Sequence, residues 1–196
     1  MPIPEITQIK YLSFTKQLAF AYLTCERLYP NYLFFSKKYK FGNANILRQA
    51  TDFIYQNFFE EYPDKNKIDF FRKEIDKNTP DPGEFRTSLA SSALDACTAL
   101  METLDFIKDK EASRINDIST FATDTVSMHI MDIASLDYNK DKDFQIKIDQ
   151  HPLMQREVRI QSGIISFLKK IDLLQPEDIQ TLLSLQDNNN KGSLNL

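Results

Sequence analysis

The chain has 196 residues, a length that fits one domain of about 100–200 residues. Its formal net charge is −4. This acidic balance argues against a general nucleic-acid binder and against a protein held to anionic membranes, because both carry a basic excess. Four glycines against 15 phenylalanines and eight tyrosines argue against a β-sandwich, which needs a turn about every 8–12 residues.

The first predicted helix is marked by apolar side chains at spacings of three and four residues. They are Tyr11, Phe14, Leu18, Ala21, Cys25 and Leu28. Because proline disfavours the helical conformation of the residue before it, we expect this helix to stop or bend near Pro30. A short segment over residues 31–40 follows, and a second helix then carries Ile46, Ala50, Phe53, Ile54 and Phe58.

Helix starts organise the next part of the chain. After Pro63, Asp64 is a natural N-cap for a helix whose apolar residues are Ile68, Phe71 and Ile75. The run Asp81-Pro82-Gly83-Glu84 combines a capping residue, proline at the first helical position and a capping-box glutamate. It predicts that a long helix starts at Pro82 and buries apolar side chains from Phe85 to Ile107.

The remaining elements are a helix over 115–136 and two helices that begin at Pro152 and Pro176. Residues 141–149 alternate apolar and polar residues as a strand would, but no partner strand is evident, so we predict a loop or short helix. The chain is thus predicted to be all-α, a single-domain multi-helix bundle of about seven to nine helices over residues 1–196. Its polar C-terminal tail at 187–196 is expected to be mobile unless it docks.

Cysteine usage and the N-terminus indicate the compartment. Cys25 and Cys97 form no CxxC motif and lie on apolar helical stripes, so we predict buried thiols in a reducing environment. The first five residues lack the basic and apolar regions of an export signal, and no run approaches 18 apolar residues. We therefore expect a cytoplasmic protein without a membrane segment.

Motifs for metal, cofactor or nucleophilic chemistry are weak. The chain has two histidines, which are too few ligands for a di-iron bundle or a Cys/His zinc site. We therefore predict no metal and no cofactor. Cys97 with His129 is a conceivable catalytic dyad. A reactive thiol needs a partly exposed, electropositive pocket, however, so we favour a buried thiol beside a core histidine.

Two polar patterns have both a structural and a functional interpretation. One stripe repeats at spacings of three and four: Ser88, Ser91, Asp95, Thr98, Glu102, Asp105 and Asp109. We favour a solvated helix face over a carboxylate-lined groove, which would need basic groups on a facing helix. The segment 34–41 interleaves aromatic residues with lysines, as single-stranded nucleic-acid sites do, but an amphipathic helix has the same pattern.

Three stretches carry a resemblance to a known family. They are Glu26-Arg27-Leu28-Tyr29-Pro30-Asn31-Tyr32, then Asp95-Ala96-Cys97 with Ala99-Leu100, and residues 118–130 with their Thr-x-Thr-Val. Over nearly its full length the chain resembles the YjaG-like bacterial family, domain of unknown function 416. The resemblance implies an all-helical fold in a bacterial cytoplasm, and it implies no activity.

The first of these motifs also has a physical interpretation. Glu26 lies one turn before Pro30, so its carboxylate is predicted to accept free N–H groups of a helix that starts there. Arg27 would then pair with an acid or lie in solvent. The alternative is a ligand-binding role for this segment.

Two functions from different classes follow as hypotheses. The first is a non-enzymatic protein that acts by binding another protein, with nucleic acid and membrane argued against and the oligomeric state open. The second is a small-molecule site or enzyme built around Glu26, Tyr29, Asp95 and His129. The candidate ligand or partner residues are Glu26, Arg27, Tyr29, Asn31, Tyr32, Asp95 and His129.

His129 carries a separate expectation. It lies on the apolar stripe of its helix, so it should be mostly buried and neutral at pH 7. An unpaired buried donor costs about 1–3 kcal/mol, so we expect at least one ring nitrogen to hydrogen-bond to another helix.

Overall fold

The computed structural model describes residues 4–60, 62–85, 87–186 and 192–196. Within these ranges the chain is all-helical, with a 3-10 helix at Pro4–Tyr11 followed by nine α-helices and no strand, which confirms the predicted fold class. The α-helices are α1 (Phe14–Tyr39), α2 (Ala44–Gln56), α3 (Lys65–Lys77), α4 (Pro82–Phe85), α5 (Ser88–Asp109), α6 (Ser113–Ile133), α7 (Phe144–Gln150), α8 (Pro152–Lys170) and α9 (Pro176–Leu185).

Helices α1, α5 and α6 form the centre of the bundle, with α5 packed between the other two. Every residue of α1 from Lys16 to Cys25 is buried, which is typical of a helix surrounded by others rather than one on the surface. Along α5, alanines recur every third residue at buried positions: Ala90, Ala93, Ala96 and Ala99. Their short side chains let neighbouring helices approach closely.

Two predicted boundaries of α1 are wrong. The helix neither stops nor gives way to a separate segment at Pro30 but continues to Tyr39. Proline inside a helix removes one backbone hydrogen bond, at about 3 kcal/mol, and the burial of Leu28, Tyr32 and Phe35 on both sides of it offsets that loss. At the other end, Tyr11 belongs to the 3-10 helix and is 78% exposed rather than part of the apolar face.

The helix predicted to run from Pro82 to Ile107 is also divided. It forms the single turn α4 and then α5, whose N-cap Thr87 accepts a hydrogen bond from the backbone N–H of Leu89. Phe85 at the end of α4 packs edge-on against Phe35, with ring centroids 4.9 Å apart. This tertiary contact ends the turn that the proline began.

A smaller apolar cluster lies beside the main core, between α6, α7 and α8. Its buried members are Val126, Ile130, Ile148, Met154 and Leu194. Residues 141–149, predicted as loop or short helix, supply α7, which buries Ile148. The C-terminal residues 192–196 are docked, with Ser193 and Leu194 buried, while residues 187–191 lie outside the described residues.

Both cysteines are buried and free, as predicted from their helical stripes. Burial raises the pKa of each thiol to about 12, so neither is a thiolate at neutral pH. None of the described helices is long and apolar enough to cross a membrane.

Candidate functional site

Glu26 is the surface member of the predicted motif. Its two carboxylate oxygens accept hydrogen bonds from the Arg48 guanidinium at 2.9 and 2.5 Å, and Arg48 also donates to Asp52 at 3.0 Å. The guanidinium lies 5.2 Å from the centre of the Tyr29 ring. The predicted capping role of Glu26 is wrong, because no helix begins at Pro30.

A groove of about 430 Å³ opens beside this ion pair. Its lining is Glu26, Tyr29, Pro30, Leu33, Arg48, Leu183 and Gln186. Burial raises the pKa of the adjacent Tyr22 hydroxyl, and the Glu26 carboxylate, which accepts a hydrogen bond from that hydroxyl, raises it further. Because Glu26 and Arg48 satisfy each other, an ionic ligand would first have to separate them.

Arg27 faces the opposite way and is fully buried. It donates to both carboxylate oxygens of Glu157 on α8, from Nη2 at 2.6 Å and from Nε at 3.3 Å. Glu157 accepts a further bond from Gln161 at 2.6 Å, and the Gln161 carbonyl accepts from Ser119 on α6 at 2.6 Å. This network joins three helices through an ion pair with side chains 0% and 2% exposed.

Asn31 and Tyr32 hold distant parts of the chain to α1. The Asn31 amide donates to the Ser193 hydroxyl at 2.8 Å, and the Ser193 backbone N–H donates to the Arg27 carbonyl at 3.0 Å. The buried Tyr32 hydroxyl donates to the backbone carbonyl of Asn78 at 2.7 Å. These contacts are those of residues that position the C-terminus and the end of α3.

Asp95 lies on α5 against α6 and accepts a hydrogen bond from the Thr125 hydroxyl at 2.7 Å. Burial raises the pKa of its carboxyl to about 6, and the nearby Asp124 adds to the rise. Neither Asp95 nor His129 lines the groove beside Glu26 and Tyr29, so the four residues of the enzyme hypothesis do not share that cavity.

His129 agrees with its prediction in burial and charge but not in its hydrogen bond. The residue is partly buried, and burial lowers the pKa of its ring below the ordinary value, in the direction of a neutral ring at pH 7. Its Nδ1 atom is buried without a hydrogen-bond partner in the described structure, so the expected bond from this atom to another helix is not formed. The apolar stripe gave the correct face of α6, but near the end of that helix the packing is less complete.

The carboxylates at the end of the α5 stripe are paired rather than simply solvated. Arg114 on α6 contacts Glu102 at 2.5 Å and Asp109 at 2.7 Å, and Arg72 on α3 contacts Asp105 at 3.0 Å. Two neighbouring helices thus supply the basic groups that a carboxylate-lined groove requires. Because each of the three carboxylates is already paired with an arginine, the arrangement ties helices together rather than forming an open acidic groove.

The segment at the end of α1 has the structure of an amphipathic helix. Lys38 lies 5.7 Å from the ring centres of both Phe34 and Tyr39. A further aromatic of this segment, Phe35, is buried against Phe85. These contacts support the interpretation of an apolar face inside and lysines outside.

The sequence interpretation missed an aromatic groove between α2 and α3. The groove has a volume of about 480 Å³ and its aromatic walls are Phe53 on α2 and Phe70 and Phe71 on α3. Phe70 is 53% exposed. The available signal was the Phe70-Phe71 doublet: neighbouring residues on a helix point about 100° apart, so both could not belong to the same narrow core stripe.

Metal ligation has no support from the described residues, where no group of three or more His, Cys, Asp or Glu side chains could hold an ion.

The sequence model of one protein family, described as "Protein of unknown function (DUF416)", matches residues 4–196. This chain belongs to the DUF416 family. The resemblance drawn from residues 26–32, 95–100 and 118–130 is therefore confirmed.

The relatives of this DUF416 chain are bacterial. It is 24% identical over 184 residues to "Uncharacterized protein YjaG" of Escherichia coli (strain K12), with 93% of this chain and 89% of that protein covered. The protein of the same name from Salmonella typhimurium (strain LT2) is 24% identical over 166 residues, covering 84% of this chain and 82% of the relative.

A solved structure shares the fold. The crystal structure of a DUF416 family protein from Shewanella baltica OS155 superposes with a TM-score of 0.86 and 24% identity, covering 96% of each chain. This likeness covers nearly the whole of the chain. It establishes the helical fold, and none of the names of these relatives carries an activity.

Proposed function

We propose that this protein acts by binding another protein, without catalysis, and that the groove between α2 and α3 is its contact surface. The observation that carries the proposal is Phe70, a large aromatic side chain 53% exposed on the wall of a groove of about 480 Å³. Exposed aromatic residues in concave surfaces are enriched at protein interfaces, where they act as anchors. Two buried, free thiols support a reducing setting such as the bacterial cytoplasm.

Site-specific photocrosslinking in bacterial cells tests this proposal. A photoreactive residue in place of Gln56, which lines the groove, should give a discrete protein adduct, whereas one in place of exposed Gln180 on α9 should not. Phe70→Ser in the same chain should abolish the adduct. Phe34→Ser, which removes another exposed aromatic from α1, should leave it unchanged.

The contrary results are equally clear. If no adduct forms at Gln56, or if the adduct persists in full with Phe70→Ser, the groove is not the contact surface. Correct folding of each variant is checked by its thermal unfolding midpoint, since both replaced phenylalanines are partly exposed and their loss should leave the core intact.

A small-molecule site is the second candidate, and the concavity beside Glu26 and Tyr29 favours it. That groove holds about 430 Å³, within the range of ligand pockets. Thermal-shift screening against a metabolite library tests it, because a ligand that binds the folded state raises the melting temperature by mass action. A hit must lose its effect in Tyr29→Ala to count for this groove.

A further inference from the structure

We propose that the partner segment taken by the groove between α2 and α3 is an acidic amphipathic helix. This inference rests on the proposed function and adds the chemistry of the partner. The two walls are helices of 13 residues each, about 20 Å long at 1.5 Å per residue. A helix of similar length laid along such walls presents apolar side chains at positions i, i+3, i+4 and i+7 to an aromatic floor.

The charges next to Phe70 determine the sign of the partner. Lys67 and Lys73 stand three residues before and after Phe70, and residues three apart are neighbours on a helix surface. Both lysines are exposed, and no ion pair joins either of them to a carboxylate in the part of the chain that the structure describes. Lys67 therefore offers a free ammonium group in the lining of the groove, and Lys73 offers one on the other side of Phe70.

The two acidic groups next to Phe70 on α3 are already engaged. Glu74 pairs with Lys77 at 2.5 Å and Asp69 with Lys108 at 2.8 Å. On the opposite wall Asp52 shares Arg48 with Glu26, so one negative charge remains on the α2 side of the groove. The charge left over beside Phe70 on α3 is positive, although the whole chain carries −4, so the α3 edge is the basic side of the groove.

Spacing adds a requirement on the partner. Lys67 and Lys73 are six residues apart on α3, which corresponds to about 9 Å along the helix axis. A partner helix that lies along α3 meets both ammonium groups with carboxylates about six or seven residues apart. Lysines at those positions would face like charges, and like-charge contacts at an interface select against the wrong partner.

A displayed peptide library provides the probe. Helical peptides of about 15 residues, long enough to cover the groove, are randomised on the apolar face, with Glu or Lys allowed at the edge positions. They are selected on the full chain, on Phe70→Ser and on Lys67→Glu/Lys73→Glu. Lys142→Glu/Lys170→Glu is the matched control, since it reverses two exposed lysines on other elements.

Peptides selected on the unmodified chain should favour Glu over Lys at the edge that faces α3 by about tenfold, the ratio that a preference of about 1.4 kcal/mol produces. The preference should reverse on Lys67→Glu/Lys73→Glu and persist on the control. Peptides that require Phe70 but show no charge preference would overturn this inference and leave the groove as a binding surface. Peptides that bind Phe70→Ser as tightly as they bind the unmodified chain would overturn both the acidic-helix inference and the proposed contact surface.

A second copy of the chain is the other occupant to examine. Sedimentation equilibrium of the unmodified chain and of Phe70→Ser distinguishes it. Self-association that disappears in Phe70→Ser would make the groove a homodimer contact and overturn the assignment to an acidic helix. A monomer in both cases agrees with the proposal.

Discussion

Glu26 and Arg27 are neighbours on α1, and each belongs to an ion pair with two hydrogen bonds, but the two pairs lie in opposite environments. Glu26 meets Arg48 at the surface, with side chains 17% and 32% exposed. Arg27 meets Glu157 in the interior, with side chains 0% and 2% exposed. The two pairs differ in how much stability is lost when one partner is removed, because only the inner pair leaves a charge buried.

Solvation of the charge that is left behind accounts for the difference between the two pairs. A charge at the surface that loses its partner is solvated, so the surface pair contributes little. A buried charge that loses its partner stays in a medium of low dielectric constant. Removing the partner therefore lowers the free energy of unfolding by much more than the intact pair contributes to it. An arrangement of α1 and α8 that separated Arg27 from Glu157 would leave both charges buried and unpaired, which disfavours it.

The largest expected effect comes from Glu157→Gln. It removes the charge opposite Arg27 and should lower the free energy of unfolding by about 3–5 kcal/mol, measured by urea denaturation. In Arg27→Met/Glu157→Leu the buried charge is absent from both partners, so its stability should lie between the single variant and the original chain. A single variant that loses no more than Glu26→Gln would contradict this account.

Asp95 extends the comparison to a half-buried carboxylate without an arginine. Its folded pKa of about 6 lies above the ordinary value of 3.8, so ionisation favours unfolding. The penalty is absent below pH 4 and grows as the pH rises to about 6, reaching about 2–3 kcal/mol at 1.36 kcal/mol per unit.

Asp95→Asn should therefore be more stable than the original chain by about that amount at pH 7 and equally stable at pH 4. The measurement is urea denaturation of both proteins across this range. A constant difference in stability between pH 4 and pH 7 would show that the carboxyl titrates normally. Thr125 can still donate to the amide oxygen, so the hydrogen bond is retained in the comparison.

Gly192 packs against the backbone carbonyl of Arg27, where the C-terminal residues dock on α1. Its φ is +63° and an added Cβ would lie 2.8 Å from the Arg27 carbonyl oxygen. Gly192→Ala should lower the free energy of unfolding by about 1–2 kcal/mol through the left-handed backbone alone, and the close approach adds to it.

Gly163 provides the matched control, because it lies inside α8 with no atom within 4 Å of an added Cβ. Gly163→Ala should raise the free energy of unfolding by about 0.5–1 kcal/mol, since alanine loses less conformational freedom in a helix. Equal effects of the two substitutions would mean that docking of the C-terminus contributes nothing to stability.

The smallest expected effect is that of Glu26→Gln at the surface pair. We expect a loss of about 0.2–1 kcal/mol in low salt, and less in about 1 M salt, where the screening length falls to about 3 Å. The readout is the urea midpoint at the two salt concentrations. A loss as large as that of Glu157→Gln, or one insensitive to salt, would remove the distinction between the two pairs.

Helical content, helix starts and buried faces were accessible from the chain alone because they depend on residues within a few turns. Pro152 and Pro176 begin α8 and α9, where proline loses no hydrogen bond. Cys25 and Cys97 are buried, as the spacing of their apolar neighbours predicted. The same local rules failed at Pro30, where packing on both sides of the proline outweighs its preference.

What lies opposite each helix face was decided only by the tertiary structure. Periodicity shows that a side chain points inward, but it carries no information about a partner such as Glu157, 130 residues from Arg27. It also could not separate Glu26 and Tyr29, which share a groove, from Asp95 and His129, which do not line it. Ion pairs and grooves depend on distances between helices, and those distances arise when the whole bundle packs.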